Sequence, residues 1–293
     1  MTIADSARPV NVKAERMADL LYAARRNPVT MIGAGLVLFI FLIGVLAPLI
    51  APYPPLEQHI EIAASPPSAR FLMGTDQFGH DILSRVMYGA QLDLLIALSG
   101  VLVSMVLGSA LGAISGFIEG WPDEILMRLM DILQAFPRFI FAMGVAFALG
   151  PGLLTVIIAT AALNIPGYAR LMRGQIKSLK RSQFARAAVS IGNPAMRVLF
   201  RHLLPNSLSP VLVMSTLQCG WAILEAAGLS FIGLGVPVPT AEWGVMINMG
   251  LQDFLQGHWW SYTFPGIAIG LTVLGFNLLG DGLDDVLDPR RQK

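Results

Sequence analysis

The sequence predicts an all-α polytopic membrane protein with six transmembrane helices and both termini in the cytoplasm. Three observations lead there. Of 293 residues, 55% are hydrophobic and only 13% are charged, whereas soluble domains carry about 25% charged residues. Apolar runs long enough to cross a bilayer recur along the chain. The basic residues gather in segments that a six-span path leaves on one side. Of the 20 Lys and Arg, only Arg70 and Arg85 fall in predicted external segments. The net charge of +1 discriminates little between partners. The one cysteine, Cys219, lies in an apolar run and reads as a small buried residue, with no disulfide framework and no Cys-x-x-Cys pair. Outside one basic loop, nothing in the charge pattern suggests nucleic-acid binding.

The predicted division is an N-terminal cytoplasmic segment (1–28), a transmembrane domain (29–280) and a cytoplasmic tail (281–293). Within the domain, 52–91 and 237–262 are external and 170–207 is a cytoplasmic loop. The first segment carries Arg8, Lys13, Arg16, Arg25 and Arg26, and Lys13 to Arg26 fits a short amphipathic surface helix. The first span, Val29 to Ala51, has no charge and is longer than the apolar core of a cleaved signal. Arg25 and Arg26 before it place the N-terminus inside.

The external segment that follows is punctuated by Pro52, Pro54, Pro55, Pro66 and Pro67, so it reads as extended and loop-like. Glu57, His59 and Glu61 alternate and on a strand would share a face. On an exposed loop such residues are ordinarily solvated, so no metal site is assigned. The second span, Leu94 to Ile118, repeats Gly100, Ser104, Gly108, Gly112 and Gly116 every fourth residue. That small-residue face suits close helix packing in lipid.

A turn over Glu119 to Glu124 leads to a third span, Ile125 to Leu149, with Arg128, Asp131 and Arg138 at its inner end and Arg128 paired with Asp131. Gly150-Pro151-Gly152 is an external turn. The fourth span runs from Leu153 to Tyr168 and is interrupted at Pro166-Gly167. Arg170, Arg173, Lys177, Lys180 and Arg181 follow at once and mark a cytoplasmic loop. The fifth span, Leu208 to Val236, contains one acid, Glu225. A carboxylate at membrane depth is costly, so it stands either as a functional residue or as a structural hydrogen bond between helices. Trp243, Trp259, Trp260 and Tyr262 cluster in the second external segment, and Trp259-Trp260 read as headgroup anchors. The sixth span is Phe264 to Gly280. In the polar tail, Asp281, Asp284 or Asp285, and Asp288 share a helical face, and Arg290, Arg291 and Lys293 agree with a cytoplasmic end.

The most informative stretch is Gln183 to Asn206, a basic loop with Arg186, Arg197, Arg201 and His202 and no acid. It reads as two short helices. Phe184, Ala187, Ala188 and Ile191 share a face at helical spacing, and Met196, Leu199 and Leu203 form a second stripe. Gly192 and Asn193 separate them. Asn193 is placed to cap the second helix, with Pro194 in its first turn and Pro205 at its end. A capped amphipathic pair between spans fits either a docking element for a soluble partner or a surface helix on lipid headgroups.

Ala187-Ala188, three residues, Gly192, nine residues and then His202-Leu203-Leu204-Pro205 resemble the E-A-A-x3-G-x9-I-x-L-P loop of ABC-importer permeases. Arg186 and His202 depart from the general Glu and Ile, as in peptide-type permeases. Three more segments resemble permeases of dipeptide, oligopeptide and nickel importers: Gly74-Thr75-Asp76 through Gly79-His80-Asp81 to Ser84-Arg85, with His80 for Arg; Glu225-Ala226-Ala227 through Leu229 to Gly235 with Trp243-Gly244; and Asn277 to Asp281 with Leu287-Asp288-Pro289, where Asp284 replaces Arg. The chain is identified as similar to the second, C-type permease of such importers.

The resemblance implies a type I ABC importer permease fold and a mechanism. Two different permeases form a heterodimeric pathway, two ABC ATPases bind below, and an extracytoplasmic substrate-binding protein delivers substrate. It implies that Arg186, Ala187, Ala188, Gly192, Arg197, Arg201, His202 and Pro205 face the ATPases. It implies a bacterial inner-membrane location and no cofactor on this chain, with ATP and Mg on the partner ATPases. The sequence contains no G-x4-G-K-[ST] loop and no H-E-x-x-H or G-x-S-x-G motif, so an enzyme reading has no candidate residues. Peptides are the substrates the resemblance suggests first, with nickel, glutathione or oligosaccharides as alternatives. A proton-coupled secondary transporter using Glu225 is the rival mechanism, and a structural membrane anchor is a second rival.

Overall fold

The structure, a computed structural model, describes residues 27–287. The readings of Lys13 to Arg26, Asp288, Arg290, Arg291 and Lys293 lie outside the described residues. The described chain is helical apart from its turns and one isolated bridge between Thr75 and Asp81.

Helix α1 (Pro28–Ile50) starts where the Asn27 side chain accepts the Val29 N–H and Pro28 occupies the first turn, where no amide partner is lost. Helix α2 (Ile82–Ile118) is capped by Asp81, whose carboxylate accepts the Ser84 N–H at 2.8 Å. At about 1.5 Å per residue α2 is ~55 Å long, so it extends well beyond a ~30 Å apolar slab. The expected start at Leu94 was late. Residues 82–93 contain Ser84, Arg85, Gln91 and Asp93, so a hydropathy reading discards a stretch that tertiary contacts hold helical.

The expected third span is broken. Helices α3 (Trp121–Ala135) and α4 (Arg138–Leu149) meet at 92°. The break falls at Phe136, whose helical conformation is disfavoured by the ring of Pro137. Helix α5 (Leu153–Lys180), by contrast, continues without a break across Pro166. Prolines are tolerated inside membrane helices where neighbouring helices re-satisfy the freed backbone groups. The basic residues Arg170 to Lys180 therefore belong to a helix end and not to a loop.

Helix α6 (Gln183–Ser190) is followed by one helical segment over residues 195–206, α7, built from Ala195–Arg197, Val198–Leu203 and Leu204–Asn206. The middle part is π-wound, with the Leu204 N–H bonding the Leu199 carbonyl. Pro205 supplies a reason, because its ring would collide with the Arg201 carbonyl in a regular α-turn. Helix α8 (Leu208–Phe231) stops before the expected Val236. The chain turns over at Gly233, where φ is +80°, a conformation glycine adopts without steric cost. Helix α9 (Trp243–Phe254) lies within the expected external segment. Helix α10 (Trp260–Leu287) begins before Phe264 and continues past Gly280, so residues 281–287 extend the sixth span as helix.

Five helices (α1, α2, α5, α8 and α10) are long and apolar enough to cross a membrane, and the bent α3–α4 pair makes a sixth. Helix α2 packs along α5. Helix α1 packs on α10 and α2, and α8 lies against α10 and α2. The α2–α5 seam explains the small residues. A methyl group on Gly108 would lie 2.6 Å from the Ile165 carbonyl oxygen and the Tyr168 Cβ, and one on Gly116 would lie 2.8 Å from the Arg173 carbonyl oxygen. One on Gly112 would overlap the Ala169 carbonyl, and one on Gly100 would press on Thr160 at 3.1 Å. Ser104 is fully buried in the same helix.

Candidate functional site

Residues 183–206 are anchored on one side and open on the other. Ser182 caps α6 by accepting the Ala185 N–H. Ala185, Ala188, Val198, Leu199 and Leu203 are buried against the bundle. Arg186, Ala187, Gly192, Arg197, Arg201 and Pro205 are exposed, and His202 is half-buried. Phe184, Val189, Ile191, Met196 and Phe200 are also exposed. The expected stripes are thus split. Ala188, Leu199 and Leu203 turn inward, while Phe184, Ala187, Ile191 and Met196 turn outward.

Asn193 does not cap α7. Its Nδ2 donates 3.0 Å to the Ala188 carbonyl and closes the end of α6 instead, while Pro194 stands at the α7 cap position. Gly192 makes that turn with φ +84°. Pro205 lies inside the last helical turn, not after it.

Just before this element, a lattice of charges ties the end of α5 to α3 and α2. Asp123 of α3 accepts the Arg173 Nη2 at 2.7 Å and the Lys177 Nζ at 2.6 Å, and also takes the Ser115 hydroxyl. Asp131 pairs with Arg170 at 2.7 Å, so the expected Arg128 partnership is replaced by one between helices. Lys180 Nζ donates 2.9 Å to the Phe117 carbonyl at the end of α2. Beside it, an open groove of about 480 Å³ is lined by Phe117, Lys180, Ala185, Arg186, Val189 and Val198.

Glu225 is not a lone acid. Arg138, the first residue of α4, donates from Nε to Glu225 Oε1 at 3.0 Å and also from Nη2. The same Nη2 reaches Asn164 Oδ1 of α5 at 3.0 Å. Gly228, one turn beyond Glu225, leaves room for the Phe139 ring, since a methyl there would lie 2.9 Å from it. Nothing in the local sequence signals this triad, because its members are 26 and 87 residues apart.

The residues of 52–91 build a folded cap. Asp76 accepts the Phe78 and His80 N–H groups at 2.9 Å and faces the His80 ring at 2.8 Å. Arg85 is buried and donates to the carbonyls of Pro55, Pro239 and Thr240 at 3.1–3.3 Å. Trp260 is also buried and donates to the Thr75 carbonyl at 3.1 Å, so it is a cap residue and not a headgroup anchor. Trp259 is half-exposed. Glu242 accepts the Gly244 and Val245 N–H groups at the start of α9, beside the buried Asp93. Burial pushes the Glu242 carboxyl above its ordinary value, and its hydrogen bonds oppose the shift. Ile60–Ile62 form a 3-10 turn, so Glu57, His59 and Glu61 do not share a strand face.

Residues 108–293 match the family described as binding-protein-dependent transport system inner membrane component, and residues 17–67 match the N-terminal transmembrane domain of oligopeptide transport permease C. The chain belongs to this permease family. It is 42% identical to a di/tripeptide transport system permease protein of Pseudomonas aeruginosa, over 87% of each chain. It is 40% identical to a probable D,D-dipeptide transport system permease protein of Escherichia coli, over 93% of this chain and 91% of the other. A glutathione transport system permease protein of Pectobacterium atrosepticum is 43% identical over 76% of this chain and 74% of its own. The permease is therefore a multi-pass inner-membrane subunit of a binding-protein-dependent ABC importer. That membership sets aside both the proton-coupled reading of Glu225 and the purely structural anchor.

Proposed function

We propose that this permease forms half of a pathway for di- or oligopeptides and couples it to ATP hydrolysis through residues 183–206. A second, homologous permease supplies the other half. Two ATPases carrying ATP and Mg dock below, and an extracytoplasmic binding protein delivers the peptide. Both termini face the cytoplasm, on the side of the basic ends of α5 to α7. Peptides are the substrate class favoured by the similarity to dipeptide and di/tripeptide permeases.

The observation that carries the coupling reading is the two-sided build of α6 and α7. Buried Ala185, Ala188, Val198, Leu199 and Leu203 fix them to the bundle, while an outer face mixes apolar side chains with Arg186, Arg197 and Arg201. A surface of that composition suits a protein groove, and its attachment directly after α5 passes displacement to that helix, which Asp123 in turn ties to α3. Arg186, Ala187, Gly192, Arg197, Arg201, His202 and Pro205 are assigned to the ATPase-facing side, with Ala188 holding the helix in place.

The test is reconstitution of this chain with its partner subunits and measurement of ATP-dependent peptide uptake. Ala187→Asp places a carboxylate on the outer face without touching the buried one. Uptake and co-purifying ATPase are expected to fall at least about tenfold, the scale of a disrupted interface hot spot, while the permease pair stays intact. Undiminished uptake refutes the coupling assignment. Uptake of other solutes with no uptake of any peptide refutes the substrate class.

A further inference from the structure

Arg138 combines three features that its structural role does not explain. The first is depth. The rim of the bundle is where the Gly152 N–H donates 2.9 Å to the Gly235 carbonyl, joining the turn before α5 to the turn after α8. Counting about 1.5 Å per residue from that rim, Glu225 lies roughly 9 Å inward and the Arg138 and Asn164 backbones about 17 Å inward. All three therefore meet inside the ~30 Å apolar slab. The second is exposure. The Arg138 side chain is 49% exposed while its partner Glu225 is 10% exposed, and Asn164 is buried. The third is spare hydrogen-bonding capacity. Nε and Nη2 are used by Glu225 and Asn164, and Nη1 has no hydrogen-bond partner among the described residues.

A charged side chain at this depth faces a protein interior or a water-filled path. It stands at the 92° break between α3 and α4, directly after Pro137. Glu225 already balances its charge, so a second acid from a neighbouring subunit is not required. The open N–H groups of Nη1 suit a single carboxylate oxygen, a charge-assisted contact short of the two-nitrogen fork. A guanidinium whose field is largely cancelled by Glu225 would hold such a group only weakly. That is what a transit site needs, since tight binding in a pathway prevents release.

We propose that Arg138, held in place by Glu225 and Asn164, lines the translocation pathway and transiently binds the carboxylate of the passing substrate. This rests on the peptide-permease reading, because a peptide carries such a group at its C-terminal end.

The test uses the whole transporter in proteoliposomes, with Cys219→Ser as background and Arg138→Cys added. A water-soluble cationic methanethiosulfonate is expected to modify position 138 in the assembled transporter. No modification overturns the placement of position 138 on a water-filled path, and with it the proposal. Since Arg138→Cys leaves Glu225 without its cation, a second variant, Arg138→Lys, keeps the charge but cannot hold Glu225 and Asn164 and still present the free Nη1 donors. It is expected to lower kcat for a free-carboxylate peptide about tenfold and to leave the affinity of the binding protein for that peptide unchanged. A normal kcat overturns the site. A wild-type complex that takes up no peptide refutes the underlying peptide reading, whereas peptide uptake with an unreactive position 138 refutes the site alone.

Discussion

The α2–α5 seam should fail when one methyl group is added at Gly112 and should not notice one at Gly174. A methyl at Gly112 would overlap the Ala169 carbonyl oxygen and lie 2.9 Å from that residue's carbonyl carbon and Cα. These are backbone atoms of α5 and cannot rotate away, so the helices must separate. Overpacking of this kind costs about 1–3 kcal/mol, and the gain from replacing a helical glycine by alanine returns about 0.5–1 kcal/mol. The net destabilisation is about 1–2 kcal/mol, roughly 3–6 °C in midpoint for a chain of this size. Gly174 lies on the same helix as Ala169 with nothing within 4 Å, so Gly174→Ala should match or slightly exceed wild type. The assay is thermal unfolding of the purified permease in one detergent, all variants side by side. If Gly112→Ala melts with or above wild type while Gly174→Ala does the same, the close backbone approach is not present and the small-residue argument is wrong.

Arg85→Ala should loosen the cap over residues 52–81, because three carbonyls lose their donor. At about 1–3 kcal/mol for each buried group left unsatisfied, limited proteolysis within that segment should accelerate at least tenfold, and unchanged cleavage would refute the clamp. Gly192→Ala meets no atom within 4 Å but must hold φ +84°, costing about 1 kcal/mol. Peptide-stimulated ATPase activity should drop severalfold while the melting point of the bundle holds. For Glu242 the folded carboxyl is raised above its ordinary 4.5, so the folded state binds its proton more tightly. Stability from this group is highest at acid pH and declines as pH rises through 4.5 toward the folded value. Glu242→Gln should flatten that part of the stability–pH curve, and an unchanged slope would show that the group is not responsible.

Much of the architecture could be read from local composition. Hydropathy located the five long apolar helices and the stretch that forms the bent α3–α4 pair, and the arginines around 170–201 marked one end of the bundle. The glycines of α2 announced a close neighbour without saying which. The spacing around Ala187, Ala188, Gly192 and Pro205 marked a folded element, although Asn193 closes the helix before it and not the one after. These are properties of neighbouring residues, and partition into lipid or the start of a helix is decided over one or two turns.

Other features depended on contacts that no local pattern contains. The polar first turns of α2 are helical because Asp81 caps them and Arg85 finds carbonyls 30 and 154 residues away. Trp260 is buried because Thr75 accepts its N–H. Glu225 gained a partner only when the break at Pro137 carried Arg138 to it. The sequence by itself determined which segments enter the membrane, since that depends on each segment's own transfer free energy. Tertiary structure alone decided which buried polar groups meet. At that depth a hydrogen bond must come from whichever helix packs alongside, and packing is a property of the whole bundle.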